Sequence, residues 1–198
     1  MKLGIIGAME QEVETLLGAM TEKVLTEKAG STFCEGLLEG LPVVVVRCGI
    51  GKVNAGMCVQ ILADRFNVTH VVNTGIAGSL NAQLDIGDFV ISTDAMYHDF
   101  DCVNFGYPMG QVPGMDVHGF PADAAMADAA ERLCRAQGVN CRRGRIVSGD
   151  QFIGSKEQID NIAIRSILRH GDPVSWSKHI VVHHLGIVLG YGDYSPRE

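Results

Sequence analysis

Leu3-Gly-Ile-Ile-Gly7 constrains the fold of this chain more than any other stretch. A short apolar run without polar alternation reads as a β-strand buried on both faces. Gly7 and Ala8 are small enough for a tight turn out of that strand. Met9, Val13, Leu16, Leu17 and Met20 then recur at helical spacing, which predicts a helix starting near Met9. A buried strand that turns at once into a helix belongs to an α/β sheet. Open α/β sheets bind ligands at the carboxyl ends of their strands, where this turn lies. The helix opens with acids. Its period turns Glu14 outward and puts Glu10 and Glu12 on opposite edges of the buried stripe, so periodicity does not choose between those two. Both also suit the positive end of the helix dipole. Gly4 lies inside the strand and G-x-G-x-x-G is absent, which excludes a dinucleotide fingerprint.

The same grammar continues along the chain. Thr32 to Glu39 and Pro42 to Cys48 are predicted strands joined by a turn at Gly40, and the β-branched run Val43-Val-Val-Val46 marks the second as central. Gly49-Ile-Gly-Lys-Val-Asn54 leads into a helix with apolar positions Val53, Met57, Cys58, Ile61 and Leu62. The spacing is not that of a Walker A loop, yet a glycine loop at a helix start can hold an anion or a sugar through backbone N–H groups. A strand at His70 to Asn73 runs into Thr74-Gly-Ile-Ala-Gly78, and another is predicted from Leu84 to Ile91 around Gly87-Asp88. Tyr97 to Pro108, followed by Gly110 to Gly114, is a long irregular segment with aromatics, the pattern of a lid or an interface. His98 there reads as a surface loop histidine, with a base as the alternative. Pro121 to Ala136 is helical, Arg145 to Asp150 is a buried strand, and Ser155 with Gln158 is a capping box opening a helix that carries Ile159 and Ile162. No repeat and no linker interrupts the chain, so one domain is expected.

Composition removes several classes. The 198 residues carry a net charge of −7, which argues against nucleic acid as a partner, since that binding needs a basic face. No apolar run approaches membrane-spanning length, and the N-terminus has no signal-peptide pattern. The six cysteines show no C-x-x-C pair and no metal-ligand spacing, and read as reduced thiols of a cytoplasmic protein.

Taken together, Gly4-Ile-Ile-Gly-Ala-Met-Glu-Gln-Glu12, Gly49-Ile-Gly-Lys52, Asn73-Thr-Gly-Ile-Ala-Gly78, Tyr97-His-Asp99, Phe105-Gly-Tyr107, Gly110-Gln-Val-Pro-Gly114 and Val147-Ser-Gly-Asp-Gln-Phe-Ile153 resemble one family. It is the 5'-methylthioadenosine/S-adenosylhomocysteine nucleosidases of the purine nucleoside phosphorylase-like fold. The segments follow the family's order and spacing from residue 1 to about residue 160. The resemblance implies an α/β, three-layer αβα fold with a mixed central sheet, C-terminally incomplete. It implies hydrolysis of an N-glycosidic bond that releases adenine in methionine salvage, without a metal or a redox cofactor. By the same resemblance Glu12 is the carboxylate that activates the attacking water. Ala8, Met9, Ile50, Gly78, Phe152 and Ile153 line the substrate pocket, with Phe152 stacking on adenine and the Ile153 backbone reading its edge. Phe105 and Pro113 complete the neighbouring subunit's pocket, which implies a homodimer binding a small adenine nucleoside. The family carries a small polar residue at position 76, where this chain has Ile76.

Beyond residue 162 the resemblance stops. The family's Val-Glu-Met-Glu-Gly segment, whose second glutamate binds the ribose hydroxyls, is expected near residues 172–176, where the chain reads Asp172-Pro-Val-Ser-Trp176. Its Arg-Ala-Ile-Ser-Asp segment, whose aspartate is the general acid at adenine, is absent. The only Trp and four of the seven His fall after Ala163. The expectation is therefore a nucleosidase domain over residues 1–162 with a divergent or frameshifted tail over 163–198, folding poorly or turning over little. Two alternatives stand beside it: a nucleoside phosphorylase of the same fold, and a non-catalytic subunit.

Overall fold

The computed structural model describes residues 1–81, 83–151, 153–167, 179–181 and 188–189. They fall into two compact units, Met1–Gly75 with Ile187–Glu198, and Ile76–Gly186.

In the first unit, β1 (Leu3–Gly7) is followed by α1 (Glu10–Ala19), β2 (Thr21–Lys28), β3 (Ser31–Leu38), β4 (Leu41–Arg47), α2 (Lys52–Phe66) and β5 (His70–Asn73). β1 lies parallel to both β4 and β5, with Ile5 beside Val45 on one side and Val72 on the other. β4, β3 and β2 continue the sheet antiparallel. Period-two alternation sends successive side chains to opposite faces. Ile5, Val43, Val45 and Cys34 pack with Val13 of α1 and with Met20. On the other face a Cβ at Gly4 would sit 2.9 Å from Leu62 of α2, and Phe33 stacks on Phe66 with ring centroids 5.3 Å apart. One helix therefore covers each face of β1 and β4, which explains why both strands read as unbroken apolar runs. Asn67, in the left-handed conformation at φ 52°, ends α2.

β2 has no counterpart among the expected strands. It is an edge strand with neither face buried, so its side chains show no apolar alternation. A bulge between Thr21 and Val24, with Glu22 at φ 54°, further breaks its period. Lys23, Glu27 and Lys28 keep this open edge charged. The two hairpins turn through Ala29-Gly30 and Glu39-Gly40, both residues of each pair at positive φ, as a two-residue type I' turn requires. Met20 belongs to the core but caps α1 instead of continuing it.

The second unit contains β6 (Gly78–Ser79), β7 (Phe89–Tyr97), β8 (Phe120–Pro121), α3 (Ala124–Ala136), β9 (Cys141–Ser148), α4 (Lys156–Ile167) and β10 (His179–Val181). The sheet order is β6-β10-β9-β7-β8, with β9 parallel to both β7 and β10. Arg145 of β9 grips Asp94 of β7, Nε to Oδ1 at 2.9 Å and Nη2 to Oδ2 at 2.6 Å. β11 (Val188–Leu189) adds an antiparallel strand to β5 in the first sheet. Mixed sheets with flanking helices are thus the architecture of the chain.

Three boundaries differ from expectation. Residues 85–88 form a turn, closed by Asp88 N–H on Asp85 O at 3.1 Å, so the strand expected at Leu84 starts at Phe89 and runs to Tyr97. Helix α3 starts at Ala124 because Asp123 Oδ1 accepts the Met126 N–H at 2.8 Å and caps it. β9 begins at Cys141, its polar first half hiding the strand signal. The expected capping box is present: Gln158 Oε1 accepts the Ser155 N–H at 3.1 Å, and Ser155 Oγ accepts the Gln158 N–H at 3.2 Å.

Two glycines give opposite expectations. A Cβ at Gly36 would lie 2.5 Å from the Thr21 carbonyl oxygen, where only backbone movement relieves it, while Gly18 on α1 has nothing within 4 Å. Gly36→Ala is expected to lower the urea midpoint by roughly 1–3 kcal/mol of stability, and Gly18→Ala to raise it by about 0.5–1 kcal/mol. Shifts of the same sign would contradict the packing described.

Candidate active site

The first unit builds its site at the carboxyl ends of three parallel strands. Cys48 N–H donates to Gly7 O and Thr74 N–H donates to Ile6 O, each at 2.9 Å, so the chain leaves β1, β4 and β5 at one level. Glu12 sits on this platform. A Cβ at Gly7 would fall 2.7 Å from Val13, 3.1 Å from the Glu12 Cβ and 3.4 Å from the Thr74 carbonyl oxygen. Glycine at position 7 is what lets the first turn of α1 come this close.

Glu12 is the third residue of α1 and turns back on the chain before it. Its Oε2 accepts the N–H of Ala8 at 2.7 Å and that of Met9 at 2.9 Å. This is the glutamate half of a capping box built on Met9, a residue type that gives no capping signal in the sequence. Glu10 behaves differently. It reaches out to Arg47 at 3.2 Å, with both side chains more than half exposed. The choice that periodicity left open is therefore made by two backbone donors, and Glu12 is the acid held at the strand ends.

The residues that donate to Glu12, Ala8 and Met9, line a cavity of about 620 Å³. Ala8, Met9 and Ile50 all line it, as do Cys48 and Met57. Ile50 is carried by the Gly49–Gly51 loop, whose glycines take φ of 84° and 100°, and Asn54 Nδ2 fixes the loop by donating to Ile50 O at 2.7 Å. Burial pushes the Cys48 thiol up to about 11, with Cys58 and the Glu12 carboxylate adding to the shift against its own backbone hydrogen bond.

The second unit holds the other expected residues. Ile153 is buried with Met96, Val147 and Ile162, against Leu80 and Ile159. Gly78, on β6, lies two residues before Leu80 and is exposed. Phe152 lies outside the described residues. Phe105, in a one-turn 3-10 helix, is 81% exposed, and Pro113 and Ile76 are exposed as well. The expected tail, including residues 172–176, lies largely outside the described residues.

His98 corrects an expectation. It is not a surface histidine but is buried, 8% exposed. Its N–H donates to Ser148 O at 3.0 Å, and its ring covers Gly149 so closely that a Cβ there would collide with it. Asp99 Oδ2 accepts the Asp150 N–H at 2.6 Å. His98 and Asp99 thus clamp the turn that follows β9 and leads to Ile153. Both line a cavity of about 250 Å³ with Ile153, Gln158 and Asn161. Sequence reading missed this clamp because nothing local shows that Tyr97 and Ser148 are partners in register, as they are.

The family model described as "Phosphorylase superfamily" matches residues 2–169, which sets the class of the protein. A relative from Colwellia psychrerythraea (strain 34H), named 5'-methylthioadenosine/S-adenosylhomocysteine nucleosidase, is 45% identical over 164 residues, 80% of this chain and 68% of the relative. A protein of the same name from Bacillus cereus (strain B4264) is 40% identical over 160 residues, 80% of this chain and 69% of the relative. Among solved structures, the Colwellia psychrerythraea nucleosidase in complex with adenine matches with a TM-score of 0.82 at 38% identity, covering 92% of this chain and 72% of that one. The Neisseria meningitidis nucleosidase in complex with methylthio-immucillin-A matches with a TM-score of 0.81 at 32% identity, covering 91% and 83%. The chain belongs to the 5'-methylthioadenosine/S-adenosylhomocysteine nucleosidase family.

The Cys48 thiol makes the site testable through pH. An ordinary thiol titrates near 9.0 and this one near 11. Below pH 9 the fold keeps its full benefit from the protonated thiol. Between these values the unfolded chain releases the proton while the folded chain keeps it, so stability falls as pH rises. The wild-type urea midpoint is expected to drop more steeply between pH 9 and 11 than that of Cys48→Ala. Equal slopes would show that the thiol is not shielded at the strand ends.

Proposed function

We propose that this chain is an N-glycosyl hydrolase of 5'-methylthioadenosine and S-adenosylhomocysteine, releasing adenine and the thio-ribose. The observation that carries this reading is the Glu12 carboxylate at the strand ends, pinned by the N–H groups of Ala8 and Met9, which themselves line an open cavity. Hydrolysis of this bond proceeds through an oxocarbenium-like state at C1', akin to that of glycosidases. Water attacks C1' as the C1'–N9 bond gives its electron pair to adenine. Glu12 takes the water's proton, and N7 of the purine takes one from solvent water. Ala8, Met9 and Ile50 serve the sugar and its 5'-thioether, and the same reading gives Gly78, Phe152 and Ile153 to the adenine end.

The chain is proposed to work as a cytoplasmic homodimer in methionine salvage, its exposed Phe105 and Pro113 reaching the neighbouring subunit's pocket. Its turnover is limited by residues 163–198, which carry neither the ribose-binding glutamate segment nor the segment with the acid for N7. A general acid contributes about 10²–10⁴-fold.

Adenine release from 5'-methylthioadenosine by the purified chain, followed by chromatography, tests both parts. The expected result is hydrolysis that does not require phosphate, at least ~10²-fold slower than that of the Colwellia psychrerythraea relative, and lowered a further ~10²–10⁴-fold by Glu12→Gln. Phosphate-dependent release, or a rate indifferent to Glu12, would overturn the reaction assigned. A rate equal to the relative's would overturn the limit.

A further inference from the structure

The cavity lined by Ala8 and Met9 has a mixed wall. Ala8, Met9, Ile50 and Met57 are apolar or soft. Glu10, Arg47 and Ser31 line the same cavity, together with the Ala29-Gly30 turn. Glu10 and Arg47 stand 3.2 Å apart, one on the first turn of α1 and the other at the last position of β4. Their side chains are 54% and 60% exposed, so each keeps solvent-facing capacity beyond the pair itself. An exposed ion pair of this kind contributes little to stability, typically about 0.2–1 kcal/mol. Its partners are therefore easily redirected toward a ligand.

A thioether that continues into a zwitterion has chemistry to match both kinds of wall. The sulfur and its methylenes suit the Met9, Ile50 and Met57 wall. An α-carboxylate suits the guanidinium of Arg47, which can bind it with two parallel N–H donors. An α-ammonium suits the carboxylate of Glu10. A methylthio group carries no charge and offers neither Arg47 nor Glu10 a partner. We infer that Arg47 and Glu10 form a specificity subsite for the amino-acid head of S-adenosylhomocysteine, and that this pair sets the preference between the long and the short 5'-thioether. The subsite rests on the functional reading above, and extends it from the bond broken to the substrate selected.

The test is equilibrium binding of 5'-methylthioadenosine and S-adenosylhomocysteine, each titrated into the purified chain at low and at high salt. Exposed charges are screened by salt, so S-adenosylhomocysteine binding is expected to weaken with ionic strength more than that of 5'-methylthioadenosine. Arg47→Ala is expected to lower the ratio of S-adenosylhomocysteine to 5'-methylthioadenosine affinity on the order of tenfold, with partial recovery in Arg47→Lys, which keeps the charge but loses the fork. Glu10→Gln is expected to lower the ratio in the same direction. Equal loss for both ligands in the variants, together with equal salt dependence in the wild type, would overturn the subsite while leaving the functional reading intact. Failure of the wild type to bind either nucleoside would overturn the functional reading, and the subsite with it.

Discussion

Two backbone N–H groups converge on one carboxylate oxygen, and the geometry of the first unit follows from that convergence. Ala8 and Met9 lie in the turn between β1 and α1, and their donors would otherwise be orphans of a helix start. Glu12 satisfies both. Hydrogen bonds to a charged group are worth roughly 1.5–3 kcal/mol each, which makes the start of α1 and the side chain of Glu12 one structural object. The arrangement needs Gly7, since any Cβ there would press on Val13 and Glu12. It also needs β1 to be flanked by β4 and β5, whose continuations through Cys48 and Thr74 are tied to its carbonyls. A single acid is thereby held against three strand ends by groups that cannot rotate away. The same two bonds fix the turn and the acid together.

The parts of the fold that were legible in the sequence are those buried on both faces. β1 and β4 carry helices on either side, so their residues are apolar without interruption and their ends are marked by glycine. β2 was illegible for the opposite reason: as a bulged edge strand it buries nothing that would leave a pattern. The turn at Asp85–Asp88 was absorbed into a neighbouring strand because Leu84 precedes it and Ile86 lies within it, although Ile86 is fully exposed. Site residues were legible unevenly. Periodicity reduced the acids of α1 to Glu10 and Glu12, but the decision between them is made by donors in the preceding turn, a three-dimensional fact. The resemblance named Glu12, and the geometry gives a physical reason for the difference between the two acids.

The second unit shows how a histidine can mislead. Followed by Asp99 and Asp101 and opening an irregular segment with Gly106, Gly110 and Gly114, His98 has every local mark of an exposed loop residue. Its burial comes from β9, a strand more than forty residues further along, which ends beside it. There His98 and Asp99 hold the Gly149-Asp150 turn, and Gly149 is glycine because the imidazole occupies the space of a side chain. The motif Tyr97-His-Asp99 and the motif Val147-Ser-Gly-Asp150 are thus two halves of one contact. Reading them separately, as a sequence must, conceals their shared purpose of fixing the segment that leads to Ile153.

The reaction assigned to this site depends on whether the carboxylate at the end of β1 faces the sugar–purine bond. A crystal structure of the Glu12→Gln chain soaked with 5'-methylthioadenosine is the most direct measurement. The predicted result is C1' of the ribose over the ends of β1, β4 and β5, with an ordered water between it and the substituted side chain, about 2.6–3.2 Å from the amide oxygen. A nucleoside bound away from those strand ends, or a substituted side chain turned to solvent with no water at C1', would contradict it.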